Sequence, residues 1–189
     1  MIKFYYNKEL SQAFLINHAK WKRWSREFLP PDPLGGLQSG YARQYNLDEA
    51  FTVYLGGHLV GELRYTIPES RQILSDLHNW LIDHNFYFNF AGDSDPVKLP
   101  DHPIQDYRIA IIRNDIPGSR ISGFSYWVKA IISTESIQLG DEQIRQERYK
   151  ESFVGTPLSR AALSDKESYR TMYINALRRN FLARLQNSP

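Results

Sequence analysis

WKRWSREFLPPDPLGGLQSGYARQYNLDEAF, residues 21–51, decides how the N-terminal half is to be read. Lys22, Arg23 and Arg26 are interleaved there with Trp21 and Trp24, and Lys20 stands just ahead. Pro30, Pro31 and Pro33 then stop any helix, because proline lacks a backbone donor and restricts the residue before it. Gly35, Gly36 and Gly40 permit sharp turns. An aromatic turn carrying Tyr41, Arg43 and Tyr45 follows. Asn46, with Glu49 three residues on, is a capping-box pattern that starts a new helix. The order is a cationic helix over Ala19–Phe28, a rigid loop, a turn with one arginine, and another helix.

Upstream, Lys8–Ile16 holds Leu10, Ala13 and Phe14 at helical spacing, and Asn17 and His18 break it. Downstream, Phe51, Tyr54, Leu55, Leu59 and Leu63 form the stripe of the third helix. Gly56-Gly57 inside it costs about 1 kcal/mol per residue against alanine, so a neighbour packs close there or the helix bends. Thr66 and Glu69 repeat the capping box, and the fourth helix runs to about Asp83, burying Ile73, Leu74, Leu77 and Leu81. The turn-rich segment 91–103 is the expected linker, dividing a 1–90 domain from a 104–189 domain.

Beyond the linker the period becomes two. Tyr107–Arg113 and Phe124–Thr134 read as strands around the Pro117-Gly118 turn, the second with Val128, Ala130 and Ile132 on one face. Glu135–Leu139 is a candidate third strand, and Gln143–Lys150 fits strand or helix. A terminal amphipathic helix is expected from near Ser164, capped with Glu167. Its stripe is Tyr169, Met172, Tyr173, Ala176, Leu177, Phe181 and Leu185, to be packed on the second domain's sheet or against a second copy. The expected fold class is α+β: a mostly helical N-terminal winged helix-turn-helix, then a β-rich domain with a C-terminal amphipathic helix.

With 189 residues, 42% of them hydrophobic, the chain is long enough for a sizeable core. It has no cysteine, so disulfides and thiolate metal sites are excluded; this fits a reducing interior and the expectation is a cytoplasmic protein. No apolar run approaches the length of a membrane span, and MIKFYYNKEL is not a signal peptide, so no membrane partner is expected. His18, His58, His78, His84 and His102 show no metal-ligand spacing. Asp93, Asp95, Asp101 and Asp106 lack the order of a calcium loop. No nucleophile motif appears, so neither catalysis, metal nor cofactor is expected.

The formal net charge is only +2, so affinity for a polyanion must come from a local patch. Lys20, Lys22, Arg23, Arg26 and Arg43 meet only Glu27 and Asp32 in their stretch. Helix, tight turn, helix and a loop able to form a wing is the order of a winged helix-turn-helix, whose second helix enters the major groove. KRWSREFLPP, then SGYARQYNLDEAF, then TIPESRQIL resembles the DNA-binding domain of the MerR-like transcription regulators over residues 3–82. The resemblance implies duplex DNA as partner, a homodimer, and RNA polymerase or an unknown effector as further partners. It places Arg23 and Trp24 at DNA on the recognition helix and Tyr41 and Arg43 on the wing, with Tyr45 as a packing residue. By residue type alone the two tryptophans belong to the core. Arg43 stands one residue later than in the family's wing, and a β-rich segment stands where the family has its coiled coil. The DNA-contacting set is therefore Lys20, Lys22, Arg23, Trp24, Arg26, Tyr41 and Arg43. The rival readings are an excisionase-like architectural DNA-binding protein and a protein-interaction or ligand-sensing module.

Overall fold

The computed structural model describes residues 4–32, 42–88, 105–114, 123–140, 142–155 and 169–187. It is an α+β fold with five helices and two antiparallel sheets among these residues. The chain forms two compact units, residues 1–99 with 177–189, and residues 100–176. The expected 104–189 domain is thus divided, since the chain from Leu177 onward belongs to the first unit. The expected linker 91–103, the loop glycines and Ser164 with Glu167 lie outside the described residues.

In the first unit, β1 (Tyr5–Tyr6) pairs antiparallel with β2 (Gln44–Tyr45). Between them in sequence lie α1 (Asn7–Ala13) and α2 (His18–Phe28). α1 stops earlier than its apolar spacing suggests because Leu15 adopts a left-handed φ of 55°. The Ile16 amide donates to the Ser11 carbonyl and the Leu15 amide to that of Gln12, which closes the helix end as a Schellman motif. Glycine is the usual occupant of that position. Leu15 is 86% exposed, so it gains no packing in return. Leu15→Gly is expected to stabilise the protein by about 1 kcal/mol, read as a higher denaturant midpoint at unchanged m-value.

Two capping boxes start α3 (Leu47–Gly61) and α4 (Ile67–Asp83) where the sequence places them. The Glu49 amide donates to Asn46 Oδ1 at 2.8 Å while the Asn46 amide donates back to Glu49 Oε2 at 3.1 Å. Thr66 and Glu69 repeat this arrangement at α4. A close neighbour, not a bend, explains the glycine pair in α3. A methyl group at Gly56 would overlap the Phe28 ring, and one at Gly57 the Trp24 ring. Two α2 side chains therefore lie directly on the α3 backbone.

A buried polar chain ties α1, α2 and β2 together. The Tyr45 hydroxyl donates to Asn7 Oδ1 at 2.6 Å and lies 2.7 Å from Ser25 Oγ, and all three residues are buried. Burial pushes the Tyr45 phenol above its ordinary range, so it keeps its proton and remains a donor. Tyr45→Phe removes the hydroxyl and leaves Asn7 and Ser25 unsatisfied, with an expected loss of about 1–3 kcal/mol in urea unfolding.

The second unit holds a four-stranded antiparallel sheet ordered β5-β4-β3-β6. Its strands are β3 (Asp106–Asn114), β4 (Gly123–Leu139), β5 (Glu142–Val154) and β6 (Arg170–Met172). Tyr107–Arg113 and Phe124–Thr134 fall within strands as the period-two pattern requires, and Gln143–Lys150 is strand. Ile109, Ile111, Tyr126, Val128 and Met172 form one buried face, and Ala110, Ile112 and Ser125 are buried on the other. The alternation fails at Ile132, where a shift in register between Ile131 and Ser133 leaves Ile132 63% exposed. Glu135–Leu139 is not a separate strand but the continuation of β4.

The final helix, α5 (Ile174–Gln186), starts later than expected. Arg170–Met172 are strand instead, paired with Ile109–Ile111 of β3, so Tyr169, Met172 and Tyr173 are not part of a helical stripe. Asn175 supports that strand edge, accepting from the Tyr107 amide at 2.8 Å and donating to the Gln105 carbonyl at 3.0 Å. From Leu177 onward α5 belongs to the first unit's core rather than to the sheet. Phe181 is fully buried, with ring centroids 5.2 Å from Phe14, 5.1 Å from Phe51 and 5.6 Å from Tyr54. Among the described residues no helix is long and apolar enough to cross a membrane.

Candidate nucleic-acid interface

α2 has two opposed stripes, each with the i, i+3, i+4, i+7 spacing of one helical face. Trp21, Trp24 and Ser25 are buried and Phe28 half-buried along the first. Ala19, Lys22, Arg23 and Arg26 are all exposed along the second. The helix starts cleanly because Asn17 caps it, its Oδ1 accepting from the Ala19 amide at 2.9 Å and the Lys20 amide at 3.3 Å. The inner stripe fixes the outer one. With Trp24 seated on Gly57 and Phe28 on Gly56, α2 cannot rotate without breaking its closest contacts with α3.

The outer cations are uncommitted. Lys22, Arg23 and Arg26 make no ion pair or side-chain hydrogen bond with any described residue. Lys20 is exposed at the edge of this face, its Nζ 4.8 Å from the Trp24 ring centroid. Two other arginines of the first unit, Arg178 and Arg184, are spent internally. Arg178 is buried, donates from Nε to the Phe86 carbonyl at 3.2 Å and lies over the Phe88 ring. Burial lowers its affinity for the proton, though an arginine stays charged. Arg184 donates to the Phe14 carbonyl at 2.8 Å.

The expected site set is thus partly assembled. Lys20, Lys22, Arg23 and Arg26 share α2 and reach solvent. Trp24 does not belong with them. It is 6% exposed and held against α3, so its role is to anchor the helix. Arg43 also departs from the expectation of a free phosphate clamp. Its Nη1 donates to the Pro30 carbonyl at 2.9 Å, its Nη2 lies 3.2 Å from Glu49 Oε1, and only 14% of its side chain is exposed. This bond joins Arg43 to Pro30 across thirteen positions of sequence. Tyr41 lies outside the described residues.

Two supporting groups are not in the expected set. Asn17 sets where α2 begins, and its position just ahead of a run of polar and apolar residues at helical spacing is the signal for a cap. Gly56 and Gly57 set how closely α2 approaches, and a glycine pair inside a helical stripe is the mark of such a contact.

An open depression of about 830 Å³ lies where α1 meets α2, lined by Lys8, Ser11, Gln12 and residues 15–18. Ser11 and His18 meet there, with Oγ and Nδ1 3.3 Å apart, but Ser11 donates its proton to the Lys8 carbonyl at 2.9 Å. The pair has the residue types of a nucleophile and base without the hydrogen bond that would activate the hydroxyl. Comparison with known proteins finds no matching family model, no matching curated protein and no matching solved structure.

Proposed function

We propose that the chain is a non-catalytic, duplex-DNA-binding transcription regulator of MerR-like type, acting in the cytoplasm. In this reading α2 is the recognition helix and lies in the major groove. One observation carries it: Lys22, Arg23 and Arg26 occupy a single exposed face with no partner among the described residues, on a helix whose opposite face is locked to α3. Cations on a rigid helix can neutralise phosphates in a fixed register, and arginine can in addition donate two bonds to a guanine edge. Arg23, between Lys22 and Arg26, is assigned the base edge, and the other two the backbone. Arg43 acts from behind, tying Pro30 to Glu49 at the start of α3. Dimerisation, RNA polymerase contact or effector sensing falls to the second unit.

Fluorescence anisotropy on a selected duplex, over a salt series, tests the reading. Arg23→Ala is expected to cost about 1–3 kcal/mol and to relax preference at one base pair, whereas Lys22→Ala should weaken all sequences alike and lower the salt slope by about one. Failure of the intact chain to bind any duplex at low salt would overturn the assignment and favour the protein-interaction alternative.

A further inference from the structure

β5 is the outermost strand of its sheet, and the side away from β4 pairs with no other strand among the described residues. It runs from Glu142 to Val154, and its residues from Glu142 to Lys150 are exposed except for a half-buried Glu147. A long open edge is a template for another strand, and natural sheets guard such edges with charges. Charges deter pairing only when like meets like, and here their order matters.

Two copies of one strand can pair antiparallel about a two-fold axis perpendicular to the sheet. Directly opposed residues then share a face, so one residue must meet its own copy. Centring the axis on Arg145, Glu147, Arg148, Lys150 or Glu151 opposes identical charges. Centring on Tyr149 sets Arg148 against the partner's Lys150, and Glu147 against the partner's Glu151. Over Glu142–Lys150, centring on Gln146 avoids every such clash. It sets Arg145 against the partner's Glu147 and Glu142 against the partner's Lys150, each occurring twice by symmetry.

Alternation along the strand puts the two kinds of pair on opposite faces of the joined sheet. Within one copy, Glu147 already accepts from Arg108 at 2.6 Å and lies 3.3 Å from Arg145. The proposed contact therefore extends an existing row of alternating charges. Glu142 and Lys150 make no ion pair among the described residues, which leaves them for a partner.

We propose that the outer edge of β5 pairs antiparallel with the same strand of a second copy, centred on Gln146, joining two four-stranded sheets into one. The occupant of the edge is another copy of this chain because the charge order complements itself. This does not depend on DNA binding, and its test does not involve DNA.

The absence of native cysteine makes the test clean. Opposed residues in antiparallel strands have Cα atoms about 4.5–5.5 Å apart, within disulfide reach. Gln146→Cys is expected to form an intermolecular disulfide under mild oxidation. Gln143→Cys, whose two copies would lie roughly 20 Å apart, is expected to cross-link no faster than background. By light scattering, Glu142→Lys should weaken the dimer about tenfold, and Glu142→Lys with Lys150→Glu should restore it. A wild-type chain that scatters as a monomer at every concentration overturns the proposal. So does Gln143→Cys cross-linking as fast as Gln146→Cys, or a charge swap that fails to rescue.

Discussion

Phe181→Ala is expected to destabilise the first unit by about 3–5 kcal/mol, the range for emptying a fully buried aromatic site. The ring is 0% exposed and lies among Phe14, Phe51, Tyr54 and Phe88, with centroids 5.1–5.9 Å away. These neighbours come from the α1 end, α3 and the segment after α4, and they cannot all move inward to fill one void. Phe14 also stacks on Trp21 of α2 at 5.5 Å, so the cavity opens next to the helix that carries the cations. A domain is stable by about 5–15 kcal/mol in total, so this loss threatens folding itself. Urea unfolding of the full chain, followed by tryptophan fluorescence, measures it. Substituting the exposed Ala183 by serine on the same helix should shift the midpoint little. A loss below 1 kcal/mol for Phe181→Ala would mean that α5 does not complete this core.

The joint replacement of Lys22, Arg23 and Arg26 by alanine is expected to leave stability within about 0.5 kcal/mol while weakening duplex binding roughly 100-fold. All three side chains are exposed and have no partner among the described residues, so folding has little to lose. Each phosphate contact adds about 0.9 to the slope of log affinity against log salt, so the slope should fall by two to three, depending on whether Arg23 meets a base or a phosphate. Exposed Arg64 and Arg71, elsewhere in the unit, supply the control. Their double alanine variant changes net charge almost as much and should leave the slope unchanged. If both variants weaken binding equally, the attraction is diffuse and α2 is not the contact.

Local chemistry explains which parts of this fold could be read from the sequence. Asn46 with Glu49 and Thr66 with Glu69 mark helix starts because the capping bonds span only three residues. The start of α5 was hidden because Met172 and Tyr173 satisfy a helical period as well as Phe181 does. What makes Arg170–Met172 a strand is pairing with Ile109–Ile111, far away in sequence. Arg43 illustrates the same limit at the candidate site. Its charge suggests phosphate, and only the folded chain brings the Pro30 carbonyl and Glu49 to its guanidinium. Trp24 was ambiguous between core and contact, and the glycine pair that receives it lies on another helix. The exposed stripe of α2 was legible because it needs nothing beyond the helix itself.

The first unit is interrupted in sequence, and this sets when it can finish folding. Synthesis proceeds from the N-terminus at about 5–20 residues per second, so roughly 5–20 s separate the appearance of Phe88 from that of Phe181. Through that interval a nascent chain displays its cationic helix above an unfinished aromatic cluster. A ribosome that stalls or stops early releases a product with no closing ring, one suited to degradation. Only a message translated past Phe181 yields a complete core.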